Sequence, residues 1–330
     1  MLVLRSSPAV VTMALAAGGA VAYLFAKHAA GKASKRAVAI TGGCGNLGVK
    51  LATHLLELGW RVVLIEHPLY YNASRVPPGD VSVVLTDLAA GSDRITSALR
   101  GCEVVVHFSA VNPYPNASWL ESAGSMSHTF NLFLAAEACG VRRVILASSN
   151  HVMGGYKDLP AEGAVFPTSP PCCGTILHDK VNLAKSGDAV AYAAAKLAGE
   201  QLARALAARP GSATSFIALR IGWCQPGANL PATLDPSGSP PQFQNKVGGG
   251  AEPTAAPDPK AAVDAAWFKN MWLSNADFLR YFTAALDAHV PPGDLLVLNA
   301  MSNNAGMRWS IAETQALLNV KAQDNVWGHA

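Results

Sequence analysis

The amino-acid sequence predicts a doubly wound parallel α/β sheet, and three features carry that expectation. From residue 36 onward, short and continuously apolar runs alternate with segments of helical period. A glycine cluster stands between the first such run and the first helix. The runs lack the polar alternation of a half-exposed sheet, as expected of strands covered by helices on both faces.

Taken in order, Ala37–Thr41 (AVAIT) reads as the first strand. Leu47, Leu51, Leu55 and Leu58 then recur every three or four residues, which predicts a helix closed by Gly59. Residues 62–65, 81–85 and 104–108 are the next buried strands. A helix over about 119–139 leads to a strand at 143–147, and an Ala-rich helix over about 189–208 leads to one at 216–221. After Gly222 the pattern changes, and 226–260 is rich in Pro, Gly, Ser and Ala, which predicts a long surface loop. Order returns at 267–273, followed by a helix at 275–288 and a strand at 295–298. A last helix is expected from Ser310, because Ser310 and Glu313 have capping-box spacing.

Composition narrows the function classes. Of 330 residues, 50% are hydrophobic and only 14% charged, so the chain is no solvated, disordered polymer. The formal net charge of +3 is unevenly placed. Arg5, Lys27, Lys32, Lys35 and Arg36 precede the first acid, Glu57, and the chain after residue 36 carries 20 basic against 22 acidic residues. That balance is not the electrostatic footprint of a nucleic-acid binder. Six cysteines show neither a C-x-x-C pair nor metal-ligand spacing, so reduced thiols and no metal site are expected.

Residues 6–26 form an uncharged run of 21 residues, about 31 Å as a helix and long enough to cross a bilayer. The larger basic cluster follows it, which by the positive-inside bias keeps the C-terminal bulk cytoplasmic. A membrane anchor is therefore the leading expectation for 1–35. An organellar transit peptide and a secretory signal are its alternatives.

The loop TGGCGNLG (41–48) follows the first strand and opens the first helix. Glycines there permit a tight turn and let backbone N–H groups approach a pyrophosphate at a helix N terminus. Gly42, Gly45, Asn46, Leu47 and Gly48 are the expected contacts. Glu66 lies 24 residues after Gly42, at the end of the second strand, where an acid accepts from ribose hydroxyls. It also repels a 2′-phosphate, so NAD is expected over NADP, with Arg75 the one cation that would oppose this. Asp87 and Leu88 after the third strand, and Ser109 after the fourth, are expected beside the cofactor.

Tyr192 and Lys196 (YAAAK) lie one turn apart on one helix face. A nearby ammonium favours phenolate, which lowers a reference pKa near ~10 toward working pH. Such a phenolate can take the proton of a substrate hydroxyl while a nicotinamide takes the hydride. The expected partner is Ser149, in ASSNH (147–151), whose hydroxyl can hold the reacting oxygen.

Together TGGCGNLG, the serine strand, YAAAK and LRIG (219–222) resemble the extended short-chain dehydrogenase/reductase family, also called NAD-dependent epimerase/dehydratase. The segment VRRVILASSNHVMGG (141–155) and WLSNADF (272–278) are most similar to its uronate dehydrogenases, which oxidise the anomeric carbon of a sugar acid. The resemblance implies a Rossmann domain at 36–222 and a substrate-binding region at 223–330. It assigns Tyr192 as general base, Lys196 as its partner and ribose ligand, and Ser149 as the hydroxyl-positioning residue. Ile221 is implied at the cofactor, and Asn150, His151 and Trp223 at the substrate. A homodimer through paired helices is implied as well.

Several positions depart from the family pattern. Ser125 stands where the family carries Asn, and Trp223 where a uronate enzyme shows a small hydroxyl residue. The expected carboxylate-binding cation falls at Trp267, with Lys269 nearest. An insertion over the site is expected at about 168–188. Trp223 and Trp267 point to a more apolar or differently shaped pocket than a uronate's. The leading expectation is an NAD-dependent dehydrogenase of a sugar or sugar-acid-like small molecule. A membrane-associated hydroxysteroid-type dehydrogenase and a nucleotide-sugar epimerase are the alternatives.

Overall fold

A computed structural model gives the structure of the protein and describes residues 35–91, 93–114, 117–157, 159, 163–174, 189–234 and 266–328. Residues 37–330 form one compact unit. The 6–26 run expected as an anchor or targeting segment lies outside the described residues. So do most of the insertion expected at 168–188 and most of the 226–260 loop. Among the described residues no helix is long and apolar enough to cross a membrane.

Seven strands make one parallel sheet: β1 (Ala37–Thr41), β2 (Arg61–Glu66), β3 (Val81–Leu85), β4 (Val104–His107), β5 (Arg143–Ser149), β6 (Ser215–Ile221) and β7 (Leu295–Ala300). Their order is β3-β2-β1-β4-β5-β6-β7. From β1 the chain runs outward to β2 and β3, then returns to β4 on the other side. The carboxyl ends of β1 and β4 therefore flank a topological switch point, where ligands of open α/β sheets bind.

The helices are α1 (Asn46–Glu57), α2 (Asp93–Leu99), α3 (Trp119–Ala138), α4 (Val190–Ala207), α5 (Asn275–Asp287) and α6 (Ala312–Leu317). Strand side chains alternate between two cores. Val38, Ile40, Val62 and Leu64 pack with Leu51 and Leu55 of α1 and with Phe278 and Phe282 of α5. Ala37, Ala39, Val63 and Ile65 pack instead with Leu132 and Phe133 of α3 and Leu206 of α4. Each fully buried aliphatic side chain contributes about 1.5–3 kcal/mol. A third cluster, with Trp223, Trp267, Met271, Met301 and Trp309, lies beyond β5 and β6.

Some local expectations need correction. Leu58 is not a core member of the α1 stripe; it caps the helix and is 53% exposed, and Gly59 at φ +83° ends the turn. Ser310 bonds to Glu313, but α6 begins at Ala312 with no side-chain cap. The complete capping box belongs to Ser118 and Glu121 at the start of α3. Arg143 is buried in β5, and its guanidinium donates to the carbonyl oxygens of Ala285, Ala288 and Val290 at the end of α5. A cation there complements the carbonyl end of the helix.

Candidate active site

A cavity of about 760 Å³ opens at the switch point, over the carboxyl ends of β1, β4, β5 and β6. On one side lies the glycine loop. Gly42 has φ +63°, and its N–H donates to the Ile65 carbonyl, which ties the loop to β2. A Cβ on Gly48 would stand 2.7 Å from Cα of Gly43 and nearer still to the Gly42 carbonyl oxygen, so only glycine lets α1 start this close to the loop. Helix α1 has no side-chain cap, and its first turn lines the cavity. An uncapped helix N terminus over a cradle that a Cβ would fill fits a dinucleotide pyrophosphate.

Glu66 is buried at the end of β2 and accepts from the Cys44 N–H (3.0 Å) and the His67 N–H (2.9 Å). It lines the cavity together with Arg75. Asp87 accepts from Ala89 N and lies 4.0 Å from His128 Nε2, while His128 Nδ1 meets the Ser109 hydroxyl at 3.3 Å. Leu88 is different: its side chain packs in the core beneath α3, and its carbonyl accepts from Asn131.

The chemical groups come from β5 and α4. Ser149 ends β5, opposite Ile221 in register. Its hydroxyl accepts from the His151 N–H at 3.2 Å and donates to Asn150 Oδ1 at 3.4 Å, and Tyr192 lines the same cavity. Lys196 lies one turn further along α4 and donates to the Ala147 carbonyl at 2.8 Å, 5.7 Å from the Tyr192 ring centre. The sequence predicts that Lys196 lowers the Tyr192 pKa. In the structure burial dominates and pushes Tyr192 up to about 12, only partly offset by the Ser149 hydroxyl. Burial likewise pulls Lys196 down to about 8.

The residues after Ser149 form a 3-10 segment, Asn150–Lys157, whose first members are buried at the cavity. Among the described residues, Asn150 Nδ2 and both ring nitrogens of His151 have no hydrogen-bond partner. Burial pulls His151 down to about 3, so its imidazole is neutral. Its ring lies edge-on to Tyr192 at 6.0 Å and to Trp223 at 5.1 Å. Trp223 lines the cavity and donates its indole N–H to the Phe268 carbonyl.

Gly42, Gly45, Asn46, Leu47, Gly48, Glu66, Asp87, Ser109, Ser149, Asn150, His151, Tyr192, Lys196, Ile221 and Trp223 are thus brought around one cavity, whereas Leu88 is not. Trp267 lies outside it, 4.3 Å from Trp309 in the third core. Lys269 stacks on Trp327 instead of facing the cavity. Ser125 bonds to Glu121 O and Val111 N, so it braces the chain after β4. The sequence reading missed His67, Tyr70 and His128, which also line the site. Of these, only His128 had a local signal, one turn before the inward Leu132.

Residues 38–222 match the model of the NAD dependent epimerase/dehydratase family. The chain belongs to this family. Its cofactor is a nicotinamide dinucleotide, NAD(P), and it is an oxidoreductase. It is similar to an L-arabinose 1-dehydrogenase (NAD(P)(+)) of Haloferax volcanii, with 28% identity over 302 residues that cover 87% of this chain and 96% of the relative. It is also similar to a uronate dehydrogenase of Agrobacterium fabrum, at 29% identity over 141 residues, 42% of this chain and 45% of that one. A crystal structure of a uronate dehydrogenase variant from Agrobacterium tumefaciens, complexed with NAD, shares the fold with a TM-score of 0.62. That match has 21% identity and covers 89% of this chain and 87% of the other.

Proposed function

We propose that this enzyme oxidises the anomeric or another secondary hydroxyl of a sugar or sugar-acid-like substrate, with Tyr192 as the base. The observation that carries this reading is that Ser149, Tyr192 and Lys196 line the same cavity as the glycine loop, with Lys196 fixed on the Ala147 carbonyl one turn from Tyr192. The relatives named for sugar dehydrogenation support the substrate class.

NAD, when bound, supplies the acceptor for the hydride that leaves the carbon. The chain does the rest. Gly42, Gly45, Asn46, Leu47 and Gly48 hold the pyrophosphate, Glu66 the adenosine ribose hydroxyls, and Asp87, Ser109 and Ile221 border the cofactor. The Ser149 hydroxyl donates to the reacting oxygen and steadies charge on it. Tyr192 removes the proton from that oxygen, and the Lys196 ammonium stabilises the phenolate that does so.

Asn150 and His151 hold neighbouring hydroxyls. A neutral imidazole offers one donor and one acceptor, which is what a hydroxyl requires. A buried polar group without a partner costs about 1–3 kcal/mol, and the substrate removes that cost on binding. Trp223 gives the C–H face of the sugar an apolar wall.

The test is NADH formation by the full-length chain with neutral aldoses, uronates and nucleotide sugars, beside Tyr192→Phe. An aldose- or uronate-dependent signal lost by about 10²–10⁴-fold in the variant, with NAD affinity retained, is the expected result. Interconversion of a nucleotide sugar without net NADH would replace this reading with an epimerase.

A further inference from the structure

The first two turns of α1 serve two sides of the cavity. Their backbone faces the glycine loop, whereas Asn46 and Lys50, four residues apart and on one helix face, reach to the chain after β6. Asn46 Nδ2 donates to the Cys224 carbonyl at 2.8 Å. Lys50 Nζ donates to the Gln225 carbonyl at 2.6 Å and to Asn275 Oδ1 at 2.7 Å, with Cys224 Sγ at 3.9 Å.

Asn275, the first residue of α5, extends the tie. Its amide donates to the carbonyls of Gly227 (2.9 Å) and Ala228 (3.2 Å). At the far end Asn229, at φ +53°, accepts from Gln225 N and donates to the Leu273 carbonyl. Every link in this set joins segments far apart in sequence or closes the 224–229 turn on itself. Trp223, Cys224 and Pro226 of the same stretch line the cavity.

Lys50 is half-buried, its two oxygen acceptors are neutral, and desolvation lowers its pKa. A cation in that setting is costly to bury, and its three donors are spent on the geometry of one turn. We propose that Lys50 is a positioning residue, which holds the Trp223–Pro226 wall against the dinucleotide helix and thereby sets the affinity for the sugar. The ligand named here rests on the sugar-dehydrogenase reading, whereas the clamp itself does not.

The test uses the full-length chain as Lys50→Met, Lys50→Arg and Asn275→Ala. Hydrogen exchange of peptides covering 223–230 is followed in the NAD-saturated protein, beside the sugar KM, kcat and the NAD Kd. In Lys50→Met, exchange at 223–230 and the sugar KM should each rise by about tenfold, the effect of one lost charge-assisted bond, while kcat and the NAD Kd stay within about twofold. Lys50→Arg should restore both, and Asn275→Ala, which leaves α1 untouched, should reproduce the loss. Unchanged exchange, or a KM that rises in step with the NAD Kd, would overturn the proposal. If the wild type oxidises no sugar yet exchange rises in both Lys50→Met and Asn275→Ala, the clamp stands and the sugar reading falls.

Discussion

The Lys196 ammonium donates to the Ala147 carbonyl across 2.8 Å and so pins α4 to β5 one turn below Tyr192. The same burial moves the two side chains in opposite directions, Tyr192 up to about 12 and Lys196 down to about 8. If the working form pairs phenolate with ammonium, kcat/KM follows the product of the two fractions. Below about pH 8 Lys196 is charged, and the phenolate fraction grows about tenfold per unit. Above it, loss of the lysine charge cancels that growth. The expected profile therefore rises with unit slope to about pH 8 and then levels. In Lys196→Met the level section should vanish, over a baseline at least ~10² lower. A wild-type profile already flat from weakly acid to neutral pH would remove Tyr192 as the base.

His151 makes a sharper statement about the substrate. Its two ring nitrogens, without a partner among the described residues, match a hydroxyl, and under the proposed function the position two residues after Ser149 would put that hydroxyl next to the oxidised carbon. Sites built to hydrogen-bond a hydroxyl reject analogues that lack it, because buried polar groups are then left unpaired. An aldose should therefore exceed its 2-deoxy analogue in kcat/KM by at least ~10²-fold. In His151→Phe the ratio should collapse toward one while NAD affinity holds. Equal discrimination in the variant would mean that His151 faces no substrate hydroxyl.

The strands were legible because burial on both faces writes continuous apolar runs such as AVAIT, and the cradle because close backbone approach admits only glycine at Gly48. The spacing of Tyr192 and Lys196 was legible for the same local reason, one helical turn. The sign of the Tyr192 shift was not, because it depends on where the lysine ammonium points and how deeply the phenol is buried. Trp223 and Trp267 look alike in sequence, yet one lines the cavity and the other packs on Trp309. Lys50 carried no signal at all, since its acceptors lie about 175 to 225 positions away. Such tertiary ties leave no periodicity to read.

Gly48 gives a direct test of the cradle. A Cβ there would meet Cα and the carbonyl oxygen of Gly43 at 2.7 and 2.8 Å, and neither belongs to a flexible side chain. Gly48→Ala should destabilise the protein by about 1–3 kcal/mol through overpacking. It should also weaken NAD binding, because relief requires the loop to leave the helix. Thermal unfolding and NAD titration read the two effects separately. Unchanged NAD affinity in a destabilised variant would show that the loop does not hold the dinucleotide.

Arg220, within LRIG, ties β6 to the helix that carries Tyr192 and Lys196. Its guanidinium grips Glu200 of α4 through two bonds, of 2.9 and 2.7 Å, and donates to the Pro167 carbonyl. Glu200 also accepts from the Ser148 hydroxyl at 2.5 Å. Both charged side chains are buried, and Glu200 lies four residues beyond Lys196 on the same helix. Arg220→Met alone strands a buried carboxylate and should cost about 3–5 kcal/mol. The helix that carries Tyr192 and Lys196 would shift to relieve it, so kcat should fall as well. Adding Glu200→Met removes the stranded charge, and much of the stability should return, because the net worth of a buried pair is far smaller than the cost of breaking it. Recovery of kcat along with stability would show that the pair acts by placing α4. Recovery of stability without kcat would mean that the guanidinium is needed for the site's charge rather than for the helix's position.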